Sequence, residues 1–289
     1  MSAIVLNKGE ARAEIATLGA EARAWTVAGR DLLWPGDPAI WPEISPILFP
    51  VVGWTRDGKE RVDGKSYDLK LHGFARFEPF AVERREADFV RLVLADNERT
   101  RAVYPFAFDF AVEYRLTEDA LAVTLEVANT GARAAPYACG LHPGFRWPLG
   151  DRGREGALIR FEREERPEAP AIAPGGLIGK GTKPVPIRGR DLPLTDALFA
   201  NDAVCLLDCA SRELAFIDAS GASISMTFPG YRHAAIWTRP GAPFICLECW
   251  TGYSDPEGFD GDLFEKPSMR VLEPGASARH EARFAYKAA

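Results

Sequence analysis

The sequence predicts an all-β protein, built as one large antiparallel β-sandwich domain over residues 1–289. The chain contains 26 glycines and 22 prolines, which divide it into short apolar runs. Such punctuation is typical of many strands and few helices. Two of the runs, between Phe108 and Val127, alternate apolar and polar residues as half-buried strands do. The chain length also fits one domain, because all-β sandwiches often reach this size.

The clearest predicted element is a hairpin from Phe108 to Val127. Its first arm places apolar residues at every second position, namely Phe108, Phe110, Val112, Tyr114 and Leu116. Its second arm does the same with Leu121, Val123, Leu125 and Val127. Thr117–Ala120 supplies a polar turn between them. Because side chains alternate between the two faces of a strand, both arms bury one face against the same core.

Three further segments are predicted with the same reasoning. Phe89–Leu94 is expected to be a strand that pairs with its neighbours. Met269–Leu272 is expected to pair with Ala282–Tyr286 across the turn Glu273–Ala276. The stretch Pro167–Pro193, rich in glycine and proline, is expected to leave the sandwich as a long surface excursion. It could mark a domain boundary, but strand patterns resume on both sides, so one domain is the simpler interpretation.

The segment Phe244–Trp250 predicts a central strand that carries one carboxylate. Residues Phe244, Cys246, Glu248 and Trp250 share one face of this strand, and both of its faces are otherwise apolar. A carboxylate is costly to bury unless it is paired or lines a wet cleft. Glu248 is therefore either locked to a buried arginine or is a functional group. Trp250, on the same face, suits the apolar face of a sugar.

Composition excludes several classes of partner. The net charge is −6, from 35 basic and 41 acidic residues, with no basic block that would indicate nucleic-acid binding. No apolar stretch is long enough to span a bilayer, and the first residues lack the pattern of a cleaved leader. These features predict a cytoplasmic protein without a membrane or nucleic-acid partner. Monomer and homodimer both remain open.

The five cysteines are expected to be buried and reduced. Cys246 and Cys249 form a C-x-x-C sequence, but inside an apolar strand-like run rather than at a helix start. A zinc site would need a second pair of ligands, for which Cys205 and Cys209 could be proposed, but their run also predicts a buried strand. Buried thiols are the better interpretation.

His142 and His72 are the candidate functional imidazoles. The sequence Leu141-His142-Pro143 places His142 at the end of a strand, next to glycines. His72 precedes Gly73 in a similar setting, whereas His233 is expected to be structural and His280 to lie inert on a polar edge. A metal site formed by His72, His142 and Glu248 is a weaker alternative, because no short ligand spacing supports it.

Two arginines could hold a substrate. Arg76 follows His72 in the string H-G-F-A-R, and Arg56 lies in a turn beside Asp57. Either could form a surface ion pair instead, or could reach sugar hydroxyls or a phosphate through its planar set of donors.

Six segments, in this order, resemble the aldose 1-epimerase (galactose mutarotase) family, and most closely its LacX-like branch. They cover nearly the whole chain and are Leu33–Pro38, Ser45–Gly53, His72–Arg76, Leu141–Phe145, Leu247–Gly252 and Leu272–Gly275. The resemblance implies a large sandwich of twisted antiparallel sheets with a sugar cleft on a concave face. The chain differs from galactose mutarotases proper at Lys70 and at Pro143–Phe145, so the sugar stays open.

The resemblance also implies roles for individual residues. Glu248 and His142 fall on the family's catalytic glutamate and histidine, and His72 on its second, substrate-contacting histidine. Arg76 falls on a binding arginine, and Arg56 matches an upstream basic residue loosely. The family's substrate-binding aspartate, in a D-x-x-F pattern, best matches Asp196, with Asp202 as the alternative.

These residues predict an isomerase that exchanges the anomers of a hexose. Ionised Glu248 would take the proton of the anomeric hydroxyl, while protonated His142 would give one to the ring oxygen. No cofactor and no metal are implied. A hexose-6-phosphate 1-epimerase is the alternative, with Arg56 and Arg76 clamping the phosphate. A non-catalytic carbohydrate-binding or sensing protein is the third possibility, and a glycosidase is less favoured because no second carboxylate has a matching context.

Overall fold

A computed structural model describes residues 3–267 and 269–289, and its elements are almost entirely strands. In chain order the strands are β1 (Ala3–Lys8), β2 (Ala11–Ala16), β3 (Ala22–Val27), β4 (Arg30–Asp31), β5 (Ile47–Leu48), β6 (Lys59–Val62), β7 (Lys65–Asp68), β8 (Ala81–Arg85), β9 (Phe89–Ala95), β10 (Phe108–Leu116), β11 (Ala120–Asn129), β12 (Ala135–Tyr137), β13 (Gly140–Leu141), β14 (Gly144–Arg146), β15 (Leu158–Phe161), β16 (Glu168–Ala173), β17 (Leu177–Pro184), β18 (Asp191–Pro193), β19 (Val204–Leu206), β20 (Glu213–Ile217), β21 (Ser223–Thr227), β22 (His233–Trp237), β23 (Phe244–Trp250), β24 (Arg270–Leu272) and β25 (Ser277–Lys287). The helices within these ranges are the short α1 (Glu98–Val103) and the single 3-10 turns Arg56–Gly58, Ala75–Phe77 and Asp196–Phe199. The predicted all-β class is confirmed.

Two sheets dominate the described part of the chain. The large sheet has the strand order β18-β15-β20-β21-β25-β11-β10-β9-β8. The second, called here the β23 sheet, has the order β19-β22-β23-β13-β5, and β14 also pairs with β23. Smaller sheets are β1-β2-β3-β4, β6-β7, β12-β24 and β16-β17. Neighbouring strands run antiparallel, as in the pairs β10–β11 and β22–β23.

The hairpin predicted between Phe108 and Val127 is confirmed. Strands β10 and β11 pair from Phe108 opposite Asn129 to Leu116 opposite Leu121. The predicted strand at Phe89–Leu94 is also present as β9, which pairs with β10 and β8. Period-two alternation located these strands because one face of the large sheet is buried and the other meets solvent.

The predicted hairpin between Met269–Leu272 and Ala282–Tyr286 is wrong. The turn Glu273–Ala276 forms, with the Ala276 N–H donating to the Glu273 carbonyl. The chain changes sheets there, however. β24 pairs with β12, whereas both edges of β25 are occupied by β11 and β21. With both edges taken, β25 has no free backbone groups for β24.

The two main sheets pack face to face through aromatic side chains. Phe145 on β14 meets Phe284 on β25 with ring centroids 5.5 Å apart, and Phe49, just after β5, stacks on Phe110 of β10 at 4.3 Å. One contiguous cluster of buried apolar residues extends from Ile4 to Phe284. A single domain over residues 1–289 stays a prediction.

The stretch Pro167–Pro193 leaves the sandwich as an ordered hairpin. Its strands β16 and β17 pair only with each other among the described strands, and β18 then joins the edge of the large sheet. The hairpin is tied to a neighbouring loop, because the Ile178 N–H donates to the Asp255 carbonyl at 2.9 Å. Asp255 also accepts from the Arg56 N–H at 2.8 Å. Asp255 therefore links the hairpin of β16 and β17 to the turn that contains Arg56.

Asp255 belongs to a buried ionic cluster that anchors this loop. The Lys266 Nζ atom lies 2.8 Å from Asp255 Oδ1 and 3.1 Å from Glu60 Oε1 on β6. All three side chains are almost fully buried.

Among the described residues, no helix is long and apolar enough to cross a membrane.

Candidate active site

Glu248 lies on the central strand β23, as predicted, and faces away from the main core. Its neighbours Leu247 and Cys249 point into that core, whereas Glu248 points to the opposite side of the sheet. Ala235 on β22 lies directly across from Glu248 in the strand register. The alternation of β23 therefore separates a structural face from a face that carries the carboxylate.

Two glycines hold His142 beside this carboxylate. β13 (Gly140–Leu141) pairs with both β5 and β23 and ends immediately before His142. A Cβ atom on Gly140 would lie 2.7 Å from Cδ1 of Trp250, and one on Gly144 would lie 2.6 Å from Cζ3 of Trp41. Only glycine permits these approaches, so the indole of Trp41 can stack on the imidazole and that of Trp250 can reach Glu248.

The Nε2 atom of His142 lies 3.4 Å from the Oε2 atom of Glu248. Oε2 also accepts a hydrogen bond from Nε1 of Trp250, at 3.1 Å. Glu248 is only 2% exposed. The alternative in which this carboxylate is locked to a buried arginine is wrong, because its hydrogen-bond donor among the described residues is an indole and the basic group within 4 Å is an imidazole.

Burial shifts the pKa of both groups towards the uncharged form. It lowers the pKa of His142 to about 3 and raises that of Glu248 well above its ordinary value. The ionised Glu248 and protonated His142 expected from the sequence are therefore not the forms that burial favours. Burial favours a protonated carboxyl beside a neutral imidazole. Either form of the pair contains one transferable proton.

His72 stands edge-on to His142, with ring centroids 5.5 Å apart. Its Nδ1 atom accepts a hydrogen bond from the Gly53 N–H at 3.0 Å. The backbone of His72 is left-handed, with φ of 62°, which turns its ring towards the cavity. Burial keeps its pKa well below the ordinary value. A neutral ring that accepts at Nδ1 carries its hydrogen on Nε2, so His72 is a hydrogen-bond donor.

Arg76 lines the same cavity and is held by a carboxylate. Its Nη1 atom donates to Glu43 Oε1 at 2.6 Å, and its Nη2 atom donates to the Leu71 carbonyl at 3.0 Å. Its Nε atom is buried without a hydrogen-bond partner in the described part of the chain. The guanidinium is therefore fixed in place while part of its donor set remains unused.

These groups line one cavity of about 440 Å³. Glu248 and His142 lie side by side in it, with His72, Arg76 and Trp250 around them. The other lining residues are Trp41, Pro42, Glu43, Gly53, Trp54, Leu71, Ile172, Gly176, Ile178, Asp202, Ala203, Cys205, Trp237, Arg239 and Ser254. Its size and mixed lining suit a small polar molecule with apolar faces.

The structure does not bring Arg56 into this cavity. Its guanidinium lies near Asp57 and Asp260, at 3.6 and 3.9 Å, and its side chain is 37% exposed. Its Nη1 atom donates to the Phe259 carbonyl at 3.4 Å, and its backbone N–H donates to Asp255. The prediction that Arg56 contacts the substrate is therefore corrected. Arg56 lies outside the cavity lining and pairs with Asp57, which is the alternative that the sequence left open.

Asp196 also lies outside the lining, and its alternative Asp202 lies in it. Asp196 starts a 3-10 turn and pairs with Arg154 at 2.9 Å, with its side chain 50% exposed. Asp202 adopts a left-handed backbone, with φ of 72°, beside strand β19. The D-x-x-F pattern selected Asp196 because Phe199 follows it, but Phe199 is a core residue that serves packing.

Sequence reasoning missed the aromatic wall around His142. Trp41 stacks on its imidazole with centroids 5.2 Å apart, and Trp237 meets it edge-on at 5.8 Å. Trp237 faces the cavity because it lies opposite Cys246 in the register of β22 and β23. Glu43 was missed as well. The sequence Trp41-Pro42-Glu43, just before the matched segment Ser45–Gly53, was the available signal.

The remaining histidines and the cysteines are buried. His280 is buried and bonded to the Tyr137 hydroxyl at 2.9 Å, so its expected place on a polar edge is wrong. All five cysteines are buried and unpaired. Cys246 and Cys249 lie three positions apart on β23 and point to opposite faces, so they cannot share a metal ion. No set of three or more potential ligands among the described residues has the arrangement of a metal site.

The arrangement can move one proton between two neighbouring atoms of a bound molecule. An imidazole and a carboxyl side by side provide an acid and a base within reach of the same atom group. His72, Arg76 and Asp202 add donors and acceptors that can hold hydroxyl groups, and the tryptophans add apolar walls. This combination fits a sugar.

Comparison with known proteins agrees with this chemistry. Residues 2–285 match the family described as aldose 1-epimerase. The plasmid-encoded protein LacX of Lactococcus lactis subsp. lactis is 28% identical over 258 residues, which cover 85% of this chain and 86% of LacX. A galactose mutarotase related enzyme from Lactobacillus acidophilus superposes with a TM-score of 0.92 at 27% identity, covering 99% of this chain and 98% of the enzyme. A galactose mutarotase-like protein from Lactobacillus casei superposes with a TM-score of 0.93 at 26% identity, covering 99% and 100%. The chain belongs to the aldose 1-epimerase family.

Proposed function

We propose that this protein is an aldose 1-epimerase that interconverts the α and β anomers of a free hexose. The observation that carries the proposal is the distance of 3.4 Å between His142 Nε2 and Glu248 Oε2 in a cavity sized for a sugar. The anomeric hydroxyl oxygen and the ring oxygen are bonded to the same carbon. Two adjacent proton-transfer groups can therefore each exchange a proton with one of these two oxygens.

The proposed reaction opens and recloses the sugar ring. In the less populated form of the pair, with its proton on His142, the carboxylate of Glu248 takes the proton of the anomeric hydroxyl, and the bond between the anomeric carbon and the ring oxygen breaks to leave an aldehyde. His142, as imidazolium, gives its proton to the departing ring oxygen. After the aldehyde turns, the same hydroxyl attacks its other face and both protons return. Burial makes this carboxylate a stronger base and this imidazolium a stronger acid.

We assign sugar binding to four residues, namely His72, Arg76, Asp202 and Trp250. His72 offers its Nε2 hydrogen, Arg76 the Nη hydrogens that Glu43 and Leu71 do not use, and Asp202 a carboxylate acceptor. Trp250 offers an apolar ring edge, while its Nε1 hydrogen orients Glu248. All four line the cavity.

A free hexose is favoured over a 6-phosphate because the two-arginine clamp is not assembled. Arg56 lies outside the cavity lining, and Arg76 is paired with Glu43 at 2.6 Å. A phosphate dianion would then meet fewer unpaired positive groups than its charge requires. Arg239 lines the cavity and is exposed. Its guanidinium could bind a phosphate, so hexose 6-phosphate is the second candidate.

The test is NMR saturation exchange between anomers, measured for a panel of free aldoses and their 6-phosphates. Enzyme-dependent exchange of a free hexose, unaffected by added inorganic phosphate, supports the proposal. Exchange confined to 6-phosphates, with competition by phosphate, supports the second candidate. Binding of sugars without any exchange would instead indicate a carbohydrate-binding protein.

A further inference from the structure

The imidazole of His142 is enclosed by rings on several sides. Trp41 stacks on it at 5.2 Å with an interplanar angle of 30°. Trp237 and His72 meet it edge-on, at 5.8 Å and 84° and at 5.5 Å and 89°. His142 is itself buried. Aromatic contact therefore covers much of the ring surface that does not face Glu248.

The orientation of this ring is not set by a hydrogen bond at its second nitrogen. Nδ1 of His142 is buried, and it has no hydrogen-bond partner among the described residues. Functional histidines commonly have their tautomer and orientation fixed by a bond at that atom. Here the Nε2 contact with Glu248 remains, so packing must supply the rest of the orientation.

Trp41 is itself held firmly enough to serve as a fixed wall. Its carbonyl accepts from Nε1 of Trp34 and from the N–H of Asp37, each at 2.9 Å. Its ring also stacks on Phe244, with centroids 5.1 Å apart. Gly144 leaves the space that the ring occupies, since a Cβ there would lie 2.6 Å from Cζ3. The indole has little freedom to move away from His142.

We propose that Trp41 is a positioning residue for His142, which holds the imidazole with Nε2 towards Glu248 and excludes water from the rest of the ring. As a role in catalysis this rests on the proposed function. The titratable or charged groups around the ring are Glu248, His72 and Arg76, the last of which is paired with Glu43. Trp41 and Trp237 carry no charge.

Exclusion of water has a measurable consequence. Burial is the main cause that lowers the pKa of His142 to about 3, and the positive charge of Arg76 acts in the same direction. Replacement of the indole by a smaller side chain would admit water to the ring. The imidazolium would then be solvated, and the pKa of His142 would rise towards its ordinary value of 6.5.

The experiment compares the wild type with Trp41→Leu, Trp41→Met and Trp41→Phe. The imidazole of His142, assigned by its loss in His142→Gln, is titrated by ¹H–¹⁵N NMR from pH 5 to 8. We expect no titration in the wild type and a midpoint within this range in Trp41→Leu. Trp41→Phe keeps a stacked ring and should titrate like the wild type. Trp41→Met replaces the Leu variant if that variant does not fold.

Kinetics supply the second readout. In Trp41→Leu we expect kcat for anomer exchange to fall about tenfold or more, because a catalytic group is misplaced, while KM changes less than about threefold. Trp147→Leu removes an indole that is also buried but lies outside the cavity lining, and should change neither the titration nor kcat.

The inference would be overturned if, in a folded Trp41→Leu variant, His142 does not titrate between pH 5 and 8 and kcat is unchanged. The NMR titration does not depend on turnover. If the wild type exchanges no anomers but His142 titrates only in the Leu variant, the proposed function fails while the positioning role stands.

Discussion

His142 and Glu248 come from strands far apart in the sequence, yet their side chains meet with Nε2 and Oε2 3.4 Å apart. β13 delivers the histidine and β23 the glutamate, and the two strands are neighbours in one sheet. The contact is therefore a consequence of strand register. Leu141 lies opposite Cys249 in this antiparallel pair. His142 follows Leu141 and Glu248 precedes Cys249, so His142 and Glu248 occupy adjoining positions.

The pH dependence of activity should reflect a pair that shares one proton. Burial lowers the pKa of His142 to about 3 and raises that of Glu248 well above its usual range. Because the pKa of His142 lies below 5, its imidazole takes up no proton from solution as the pH falls from 7 to 5. We therefore expect kcat/KM to show no decline with a histidine midpoint over this interval. A decline centred near the ordinary histidine pKa of 6.5 would contradict this.

Removal of the carboxylate of Asp202 should weaken sugar binding, whereas the same change at Asp196 should not. Asp202 lines the cavity, while Asp196 pairs with Arg154 outside the lining. Loss of a charged hydrogen-bond acceptor costs about 1.5–3 kcal/mol, or a rise in KM of roughly tenfold or more for Asp202→Asn. Asp196→Asn is the matched control, and steady-state kinetics measure both. Equal effects of the two changes would refute the reassignment.

Lys266→Met should destabilise the fold strongly. The change leaves the carboxylates of Glu60 and Asp255 buried without their cation. Breaking such a cluster costs about 3–5 kcal/mol. Arg283→Met is the control, because Arg283 and Asp119 form an exposed pair of the kind that contributes about 0–1 kcal/mol. Urea unfolding measures both, and comparable midpoints for the two variants would show that the buried cluster is not stabilising.

Stability should fall as the solution is acidified, partly because of His280. Burial lowers the pKa of His280 to about 4, from an ordinary value of 6.5. Between these values the unfolded chain binds a proton that the folded chain does not. The free energy of unfolding therefore decreases as the pH falls through this interval, by at most about 1.4 kcal/mol per pH unit for one group.

The variant His280→Gln should flatten this dependence, even if it is less stable at pH 7. Tyr137→Phe removes the hydrogen bond between Tyr137 and His280 but keeps the imidazole, and should retain the slope. Urea unfolding at several pH values between 4.5 and 7 makes the comparison. An unchanged slope in His280→Gln would exclude His280 as a source of the acid sensitivity.

Much of the strand framework could be predicted from the sequence, because burial of one sheet face imposes a period of two on the residues. The hairpin of β10 and β11 follows from this rule, as does the division of β23 between a core face and a cavity face. The pairing of β24 could not be predicted. A turn sequence such as Glu273–Ala276 reverses the chain, but does not determine which strand edge is free on the other side.

The central pair of the site could be predicted, and its surroundings only in part. Glu248 was identifiable because a carboxylate in an apolar strand requires a reason. Trp41 and Glu43 lie in a segment with few strands, where no periodicity marks which side chains turn inwards. Arg56 and Asp196 were misplaced because a short motif fixes residue types but not the direction of a turn. Their side chains found nearer ion partners outside the cavity.

The most direct test of the account is anomer exchange by Glu248→Gln, measured by NMR saturation transfer beside the wild type. Glutamine preserves the shape of the side chain and can still bond Trp250, but it cannot take up a proton at neutral pH. We expect sugar binding to persist, and enzyme-dependent exchange to fall by about a hundred- to ten-thousand-fold. Exchange at the wild-type rate in this variant would contradict the assignment of Glu248 as the proton-transfer group.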